Sequence, residues 1–128
     1  NNRMKSQEGL NESKSLELAR ELLGRSVEVT MDRPLGSKHP KHGFVYEVNY
    51  GYIDGITAPD GEELDAYFLG VDTAVEKTQG ICIAVIHRLD NDDDKLVVTP
   101  NGVELSDEEI MNAVNFQEQY FKSVIIRK

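Results

Sequence analysis

Gly80 to His87 reads G-I-C-I-A-V-I-H, a continuous apolar run. A run of that kind suits a strand in the middle of a sheet or barrel. Its apolar centre, Ile81 to Ile86, is far too short to cross a bilayer. Whatever this chain folds into must cover both faces of that strand, and the rest of the sequence supplies the neighbours. Ser26 to Met31 alternates Val27, Val29 and Met31 with polar residues, the pattern of a half-buried strand. Leu64 to Leu69 alternates so that Asp65 and Tyr67 share one face, opposite Leu64, Ala66 and Phe68. Lys95 to Thr99 and Ser123 to Ile126 are two further strands. If the extended geometry of Lys95 reaches back two residues, Asp93 points the same way.

Two helical patterns flank these strands. From Asn11, with Asn11 or Ser13 as cap, the residues Leu16, Ala19, Leu22 and Leu23 fall on one stripe and Gly24 is the stop. This segment, residues 1–25, is an N-terminal tail and helix that reads as a docking or oligomer-contact element. Residues 26–128 form the main domain. The second helix starts at Ser106, where Glu109 completes a capping box and Asp107 and Glu108 suit the positive helix end. Its inner stripe is Ile110, Ala113, Val114, Gln117 and Phe121. The lone cysteine, Cys82, lies inside the apolar run and reads as a small buried hydrophobe.

A chain of 128 residues fits one domain with a real core. Its net charge of −9 argues against nucleic acid or an anionic membrane as partner. The lack of any disulfide pair fits a cytoplasmic setting. Charge is unevenly spread. Asp60, Glu62, Glu63 and Asp65 follow a turn at Pro59, and Asp90, Asp92, Asp93 and Asp94 precede Lys95. Carboxylates so crowded are solvated, protonated or holding hard cations such as Mg²⁺, Mn²⁺ or Ca²⁺. Neither run has the glycine and carboxylate spacing of a calcium-binding EF-hand loop. Arg33 to Tyr46, by contrast, contains no acid, and Arg33, Lys38 and Lys41 make it a candidate anion-binding edge. His39 and His42 lack a third ligand that would make them a metal site.

These acidic runs, separated by a strand pair and followed by a lysine, resemble the family I soluble inorganic pyrophosphatases. The segment D60-G61-E62-E63-L64-D65-A66 fits six of the seven positions of that family's signature, with Glu62 standing where the family has Asp. The lead-in from Tyr46 through Asn49, Tyr50, Gly51, Tyr52 and Ile53 is also similar, and the likeness runs from Val45 to about Lys122. The resemblance implies an α+β, mainly β fold: a five-stranded OB-like barrel flanked by two helices. It implies Asp60, Asp65, Asp90 and Asp93 as metal ligands and Glu62 as the carboxylate that helps deprotonate the attacking water. Lys95, Tyr50 and Tyr120 are implied as phosphate contacts.

The hairpin where the family carries a Lys, a Glu and an Arg is replaced here by Asp32 to His42. That leaves Arg33, Lys38 or Lys41 for the cationic role and Asp32 for a lost carboxylate. Phe121 stands where the family has a lysine after the late tyrosine. The implied activity is hydrolysis of inorganic pyrophosphate by Mg²⁺- or Mn²⁺-activated water, in a protein compatible with homo-oligomerisation. A different small phosphorylated substrate, or a non-catalytic module binding phosphate or metal on the same fold, are the alternatives.

Overall fold

The computed structural model describes residues 14–58, 61–90 and 93–128. In chain order the elements are α1 (Lys14–Leu22), β1 (Ser26–Arg33), β2 (Asn49–Thr57), β3 (Glu63–Phe68), β4 (Lys77–Arg88), β5 (Asp94–Thr99), α2 (Asp107–Glu118) and β6 (Ser123–Ile126). The strands run β1-β2-β3-β5-β4-β6, and a further β1–β4 pairing closes the first five into a barrel. Only β3 and β5 pair in parallel; the other pairs are antiparallel. The fold is thus α+β and mainly β, an OB-like barrel with two flanking helices.

Alternation divides the core in two. Val27, Val29, Ile53, Leu64, Ala66, Phe68, Cys82, Val85, Leu96 and Val98 come from all five barrel strands and pack with Ala19 and Leu23 of α1. Tyr50, Tyr67, Ala84, Ile86 and Val97 point the other way and pack under Ile110 and Val114 of α2. A register shift between Cys82 and Ala84 lets β4 serve both cores from one apolar run. Leu64, Ala66 and Phe68 lie in one core and Tyr67 in the other, as the alternation of β3 requires.

Asn49–Thr57 is a nine-residue strand, although its glycines and polar residues signal only an aromatic approach to a turn. Gly51 is the reason a strand fits there: a Cβ at this position would sit 1.9 Å from the Thr30 carbonyl oxygen. β6 is therefore a sixth strand, paired to the end of β4 outside the barrel. Gly24, with φ of 83°, takes the left-handed conformation that stops α1. The capping box of α2 is formed, Ser106 Oγ accepting from the Glu109 amide and Glu109 Oε1 from the Ser106 amide. Asn11, Ser13 and Asp60 lie outside the described residues.

The acid-free segment 33–46 folds back on itself. Tyr46 donates its amide to the Ser37 carbonyl and His39 to the Phe44 carbonyl. Asn49, fully buried, pins this hairpin to the β3–β4 connection: its Oδ1 accepts from the Leu35 and Val75 amides and its Nδ2 donates to the Thr73 carbonyl. No helix among the described residues is long and apolar enough to cross a membrane.

Candidate functional site

A cleft of about 760 Å³ opens on the outer face of the barrel, between the 33–46 hairpin and the C-terminal end of α2. Register explains its floor. Ala66 pairs with Leu96 across the parallel β3–β5 ladder, so Asp65 and Lys95, each one residue earlier, stand side by side on the same face. Tyr50 lies on β2, diagonal to Asp65, because Tyr52 pairs with Asp65 and Tyr50 with Tyr67. Three strands thereby deliver three polar side chains to one place. Lys95 Nζ donates to Asp65 Oδ2 at 2.7 Å, and Tyr50 donates its hydroxyl to the same oxygen at 2.8 Å. Asp93, just before β5, brings Oδ2 to within 3.0 Å of Lys95 Nζ, so the two side chains do point the same way.

Burial sharpens this cluster. Lys95 is 4% exposed and Tyr50 9%, whereas the side chains of Asp65 and Asp93 remain partly open to solvent. Burial first, then the Asp65 charge, holds the Tyr50 phenol protonated well above the ordinary range, so it acts as a donor.

A β-bulge supplies the next pair. Met31 pairs with Gly51 but Arg33 pairs with Tyr50, which leaves Asp32 as an extra residue in β1. Both Asp32 and Arg33 line the cleft, where strict alternation would have put them on opposite faces. Partial burial raises the Asp32 carboxyl above its usual range, against the pull of Arg33 and with a smaller push from Asp65. Arg33 Nη1 donates to the Tyr46 hydroxyl at 3.3 Å, and that hydroxyl donates to Gln117 Oε1 at 2.8 Å.

Behind the floor lies a buried ion pair. Arg88, at the end of β4, gives Nε and Nη2 to the two oxygens of Glu118 at 3.0 and 2.7 Å. Tyr67 donates its hydroxyl to Glu118 Oε2 and accepts from Gln117 Nε2. The Arg88 guanidinium also lies 3.7 Å from the Phe121 ring centroid and 3.3 Å from Asp93 Oδ2. Phe121, the departure from the family's lysine, thus covers an arginine that sequence reading overlooked. A signal for it existed: Glu118 falls four residues after Val114 on the buried stripe of α2, and a carboxylate there needs a cation.

The remaining sequence candidates are spread out. Tyr120 is 69% exposed and lines the cleft. Lys38 is exposed, bridges Val45 through its backbone, and is not among the described residues lining the cleft. Glu62 is exposed in the turn before β3, where its carbonyl accepts from the Ala58 amide, and is not among those lining residues either. Asp90 is exposed and accepts from the Lys122 amide at 3.3 Å. Asp60, another of the four implied metal ligands, lies outside the described residues.

Among the described residues no group of three His, Cys, Asp or Glu side chains is close enough to hold a metal ion. Asp65 and Asp93 nonetheless meet on a single cation, the Lys95 ammonium. Two carboxylates that address one point fit Mg²⁺ or Mn²⁺, since Mg²⁺ takes one or two carboxylates and completes its shell with water and substrate oxygens. They fall short of the oxygen cage that Ca²⁺ requires.

A closed five-stranded barrel with one parallel pair, its cleft roofed by a C-terminal helix, is the fold of the family I inorganic pyrophosphatases. An inorganic pyrophosphatase from Helicobacter pylori matches with a TM-score of 0.57 at 18% identity, over 80% of this chain and 82% of that one. One from Neisseria gonorrhoeae matches with a TM-score of 0.57 at 19% identity, over 81% and 83%. One from Thermus thermophilus gives 0.53 at 14% identity, over 78% and 79%. At these identities the likeness is one of fold. No family model matches the sequence, and no curated protein matches it.

Proposed function

We propose that this cleft hydrolyses a phosphoanhydride, with inorganic pyrophosphate as the reference substrate. The observation that carries the reading is the meeting of Lys95, Tyr50, Asp65 and Asp93, from three strands and the approach to one of them, at the floor of a cleft in this fold. Lys95 and Arg33 bind phosphoryl oxygens, and Tyr50 donates a hydrogen bond toward charge that builds up in the transition state. Asp65 and Asp93, with Asp60, are the proposed ligands of Mg²⁺ or Mn²⁺, which when bound offsets substrate charge and lowers the pKa of a bound water. Arg88, tied to Glu118 and covered by Phe121, sets the position of Asp93 rather than binding substrate. No side-chain nucleophile is required.

Two carboxylates compete for the water-activating role. Glu62 holds it by motif, and Asp32 by its place in the cleft. Glu62→Gln and Asp32→Asn separate them, because the true base loses turnover while the apparent metal affinity stays within about threefold. Tyr120 is proposed as a substrate contact at the rim, Asp90 and Lys38 as peripheral charges.

The decisive experiment is phosphate release from pyrophosphate by the full chain, with Mg²⁺ and with chelator. Release that chelator abolishes, and that Asp65→Asn lowers by about 10³-fold or more, supports the reading. Saturable binding of pyrophosphate without release would instead establish a non-catalytic module on this fold. Wild-type rates in Asp65→Asn would remove Asp65 from the site.

A further inference from the structure

The cleft has two unlike halves, and only one of them is explained by phosphate chemistry. Its floor is charged and buried. Its wall, toward the 33–46 hairpin, is a continuous run of ring faces. His42 and His39 lie 4.7 Å apart between centroids, His39 and Phe44 4.8 Å, and Phe44 and Tyr46 5.5 Å. Tyr46 in turn stacks on Tyr50 at 5.6 Å, which brings the run down to the Lys95 floor. Tyr120 adds another ring at the rim, 69% exposed.

Pyrophosphate makes no use of such a wall. It is two phosphoryl groups sharing an oxygen, with no apolar surface, and it would occupy a small part of about 760 Å³. That volume is instead in the range of clefts that hold molecules of nucleotide or drug size, ~300–1,000 Å³. Tyr46 and Tyr50 are buried, His39 and Phe44 are half-buried, and His42 and Tyr120 are exposed, so the outer rings are the ones that gain by stacking on a planar ligand.

The wall is also held in place. His39 Nδ1 accepts the amides of both Lys41 and His42 at 3.1 Å, which fixes the imidazole plane and leaves Nε2–H as the donor of the neutral ring. Asn49 fixes the base of the same hairpin through Leu35. Lys38 and Lys41 are exposed on the same acid-free hairpin, which gives this side of the cleft a local positive charge even though the chain as a whole carries a charge of −9.

We infer that the ligand of this cleft is a nucleoside polyphosphate, its phosphates on the Lys95, Arg33 and Tyr50 floor and its base against His39, Phe44 and Tyr120. The inference rests on the floor being a phosphate site, as proposed above, and adds the substrate class. A nucleic acid strand is disfavoured by the net charge, whereas a single nucleotide needs only the local cations.

Calorimetry on the full chain at fixed free Mg²⁺ tests this with ATP, GTP and inorganic tripolyphosphate. Tripolyphosphate carries the phosphate chain of the nucleotides without a base. A nucleotide should bind about tenfold or more tightly than tripolyphosphate, the scale of a base stacked on an aromatic side chain. The ratio should fall toward one in Phe44→Leu, which keeps an apolar side chain but removes the ring, and several-fold in Tyr120→Ala. Tyr120 is exposed enough for its variant to fold whatever Phe44→Leu does. Equal affinities in the wild-type chain, or a ratio unmoved in Tyr120→Ala and any folded Phe44→Leu, overturn the inference. Phosphate release measured in parallel separates the two readings. Turnover of pyrophosphate with no nucleotide preference sinks this inference and leaves the hydrolase. A nucleotide preference without turnover of any compound sustains it and sinks the hydrolase.

Discussion

Glu118 offers the sharpest test of how the cleft is supported. It is 1% exposed and accepts three hydrogen bonds, two from Arg88 and one from Tyr67. Both donors are buried, Arg88 at 6% exposure and Tyr67 at 0%. Burial alone would lower the Arg88 pKa, but the bonds and charge of Glu118 outweigh it and raise the pKa above the ordinary value. Glu118→Ala therefore leaves a guanidinium and a phenol with no buried acceptor. Gln117 cannot replace it for Tyr67, since Gln117 Nε2 already donates to that hydroxyl. Asp93, at 3.3 Å from Arg88 and nearly half exposed, compensates only in part.

Breaking a buried pair by removing one partner costs roughly 3–5 kcal/mol. With an unfolding entropy of about 2.1 cal/mol/K per residue over 128 residues, each kcal/mol moves Tm by about 4 °C. Glu118→Ala should thus lower Tm on the order of 10–20 °C. Glu118→Gln, which keeps the shape and one acceptor, should cost about half as much. The assay is thermal and urea unfolding of Glu118→Ala, Glu118→Gln, Arg88→Met and the Glu118→Ala/Arg88→Met double variant. The double variant should be less destabilised than the two singles added together by at least about 1.5 kcal/mol, because each single leaves the other partner stranded. Additive singles, or a Glu118→Gln change under about 0.5 kcal/mol, would falsify the account of this pair.

Other consequences are equally direct. Gly51→Ala drives a Cβ into the Thr30 carbonyl and should cost on the order of 4 kcal/mol or prevent folding. Gly102→Ala, at φ of 90° with nothing within 4 Å, should cost only about 1 kcal/mol; comparable losses in denaturant midpoint would contradict the close packing of β1 on β2. Burial pushes the Cys82 thiol up to about 12, from an ordinary value of 9.0. A raised pKa means that this contribution to stability is complete below about pH 9 and is lost as pH rises toward 12, on the order of 4 kcal/mol in all. The stability difference between wild type and Cys82→Ala should therefore shrink from pH 8.5 to 11, and parallel profiles would refute it. Lys95→Met should lower turnover on pyrophosphate by about 10²-fold or more, read as kcat/KM in a phosphate-release assay; an unchanged value would remove Lys95 from the phosphate site. Pyrophosphate binding should vanish in chelator, and tight metal-free binding by calorimetry would show that the cations of the chain suffice.

Much of the fold was legible because it is written in short-range pattern. The two-residue period of β3, the capping box at Ser106 and the apolar run of β4 each specify a local geometry that tertiary contacts then keep. β2 was harder to see, because Gly51 and Gly55 weaken a strand signal. Gly51 is needed for close approach to β1, a fact of pairing that no local pattern expresses. The site divides along the same line. Asp65 and Lys95 stand out because each sits where an acidic run meets a strand, and their contact follows from register. Arg88 and Glu118 are far apart in sequence and neutralise each other, so neither marks itself by motif. The bulge at Asp32 is invisible in sequence, and with it the entry of two consecutive residues into one cleft.

The balance of charge in the cleft bears on what it can hold. Arg33, Arg88 and Lys95 are its cations, and Asp32, Asp65, Asp93 and Glu118 stand in it or directly behind it. Arg88 is committed to Glu118, and Lys95 is shared by Asp65 and Asp93, which leaves Arg33 as the described cleft cation bonded to a neutral partner, the Tyr46 hydroxyl. A polyanion entering such a cleft meets carboxylates that its own charge repels, in a chain already at −9. Under the proposed function, Asp65 and Asp93 would hold a divalent cation, more positive than one ammonium, and Lys95 would then be free to turn to phosphate. Asp65 and Asp93, both partly solvated and both paired with the buried Lys95 ammonium, are the carboxylates that such an exchange would use.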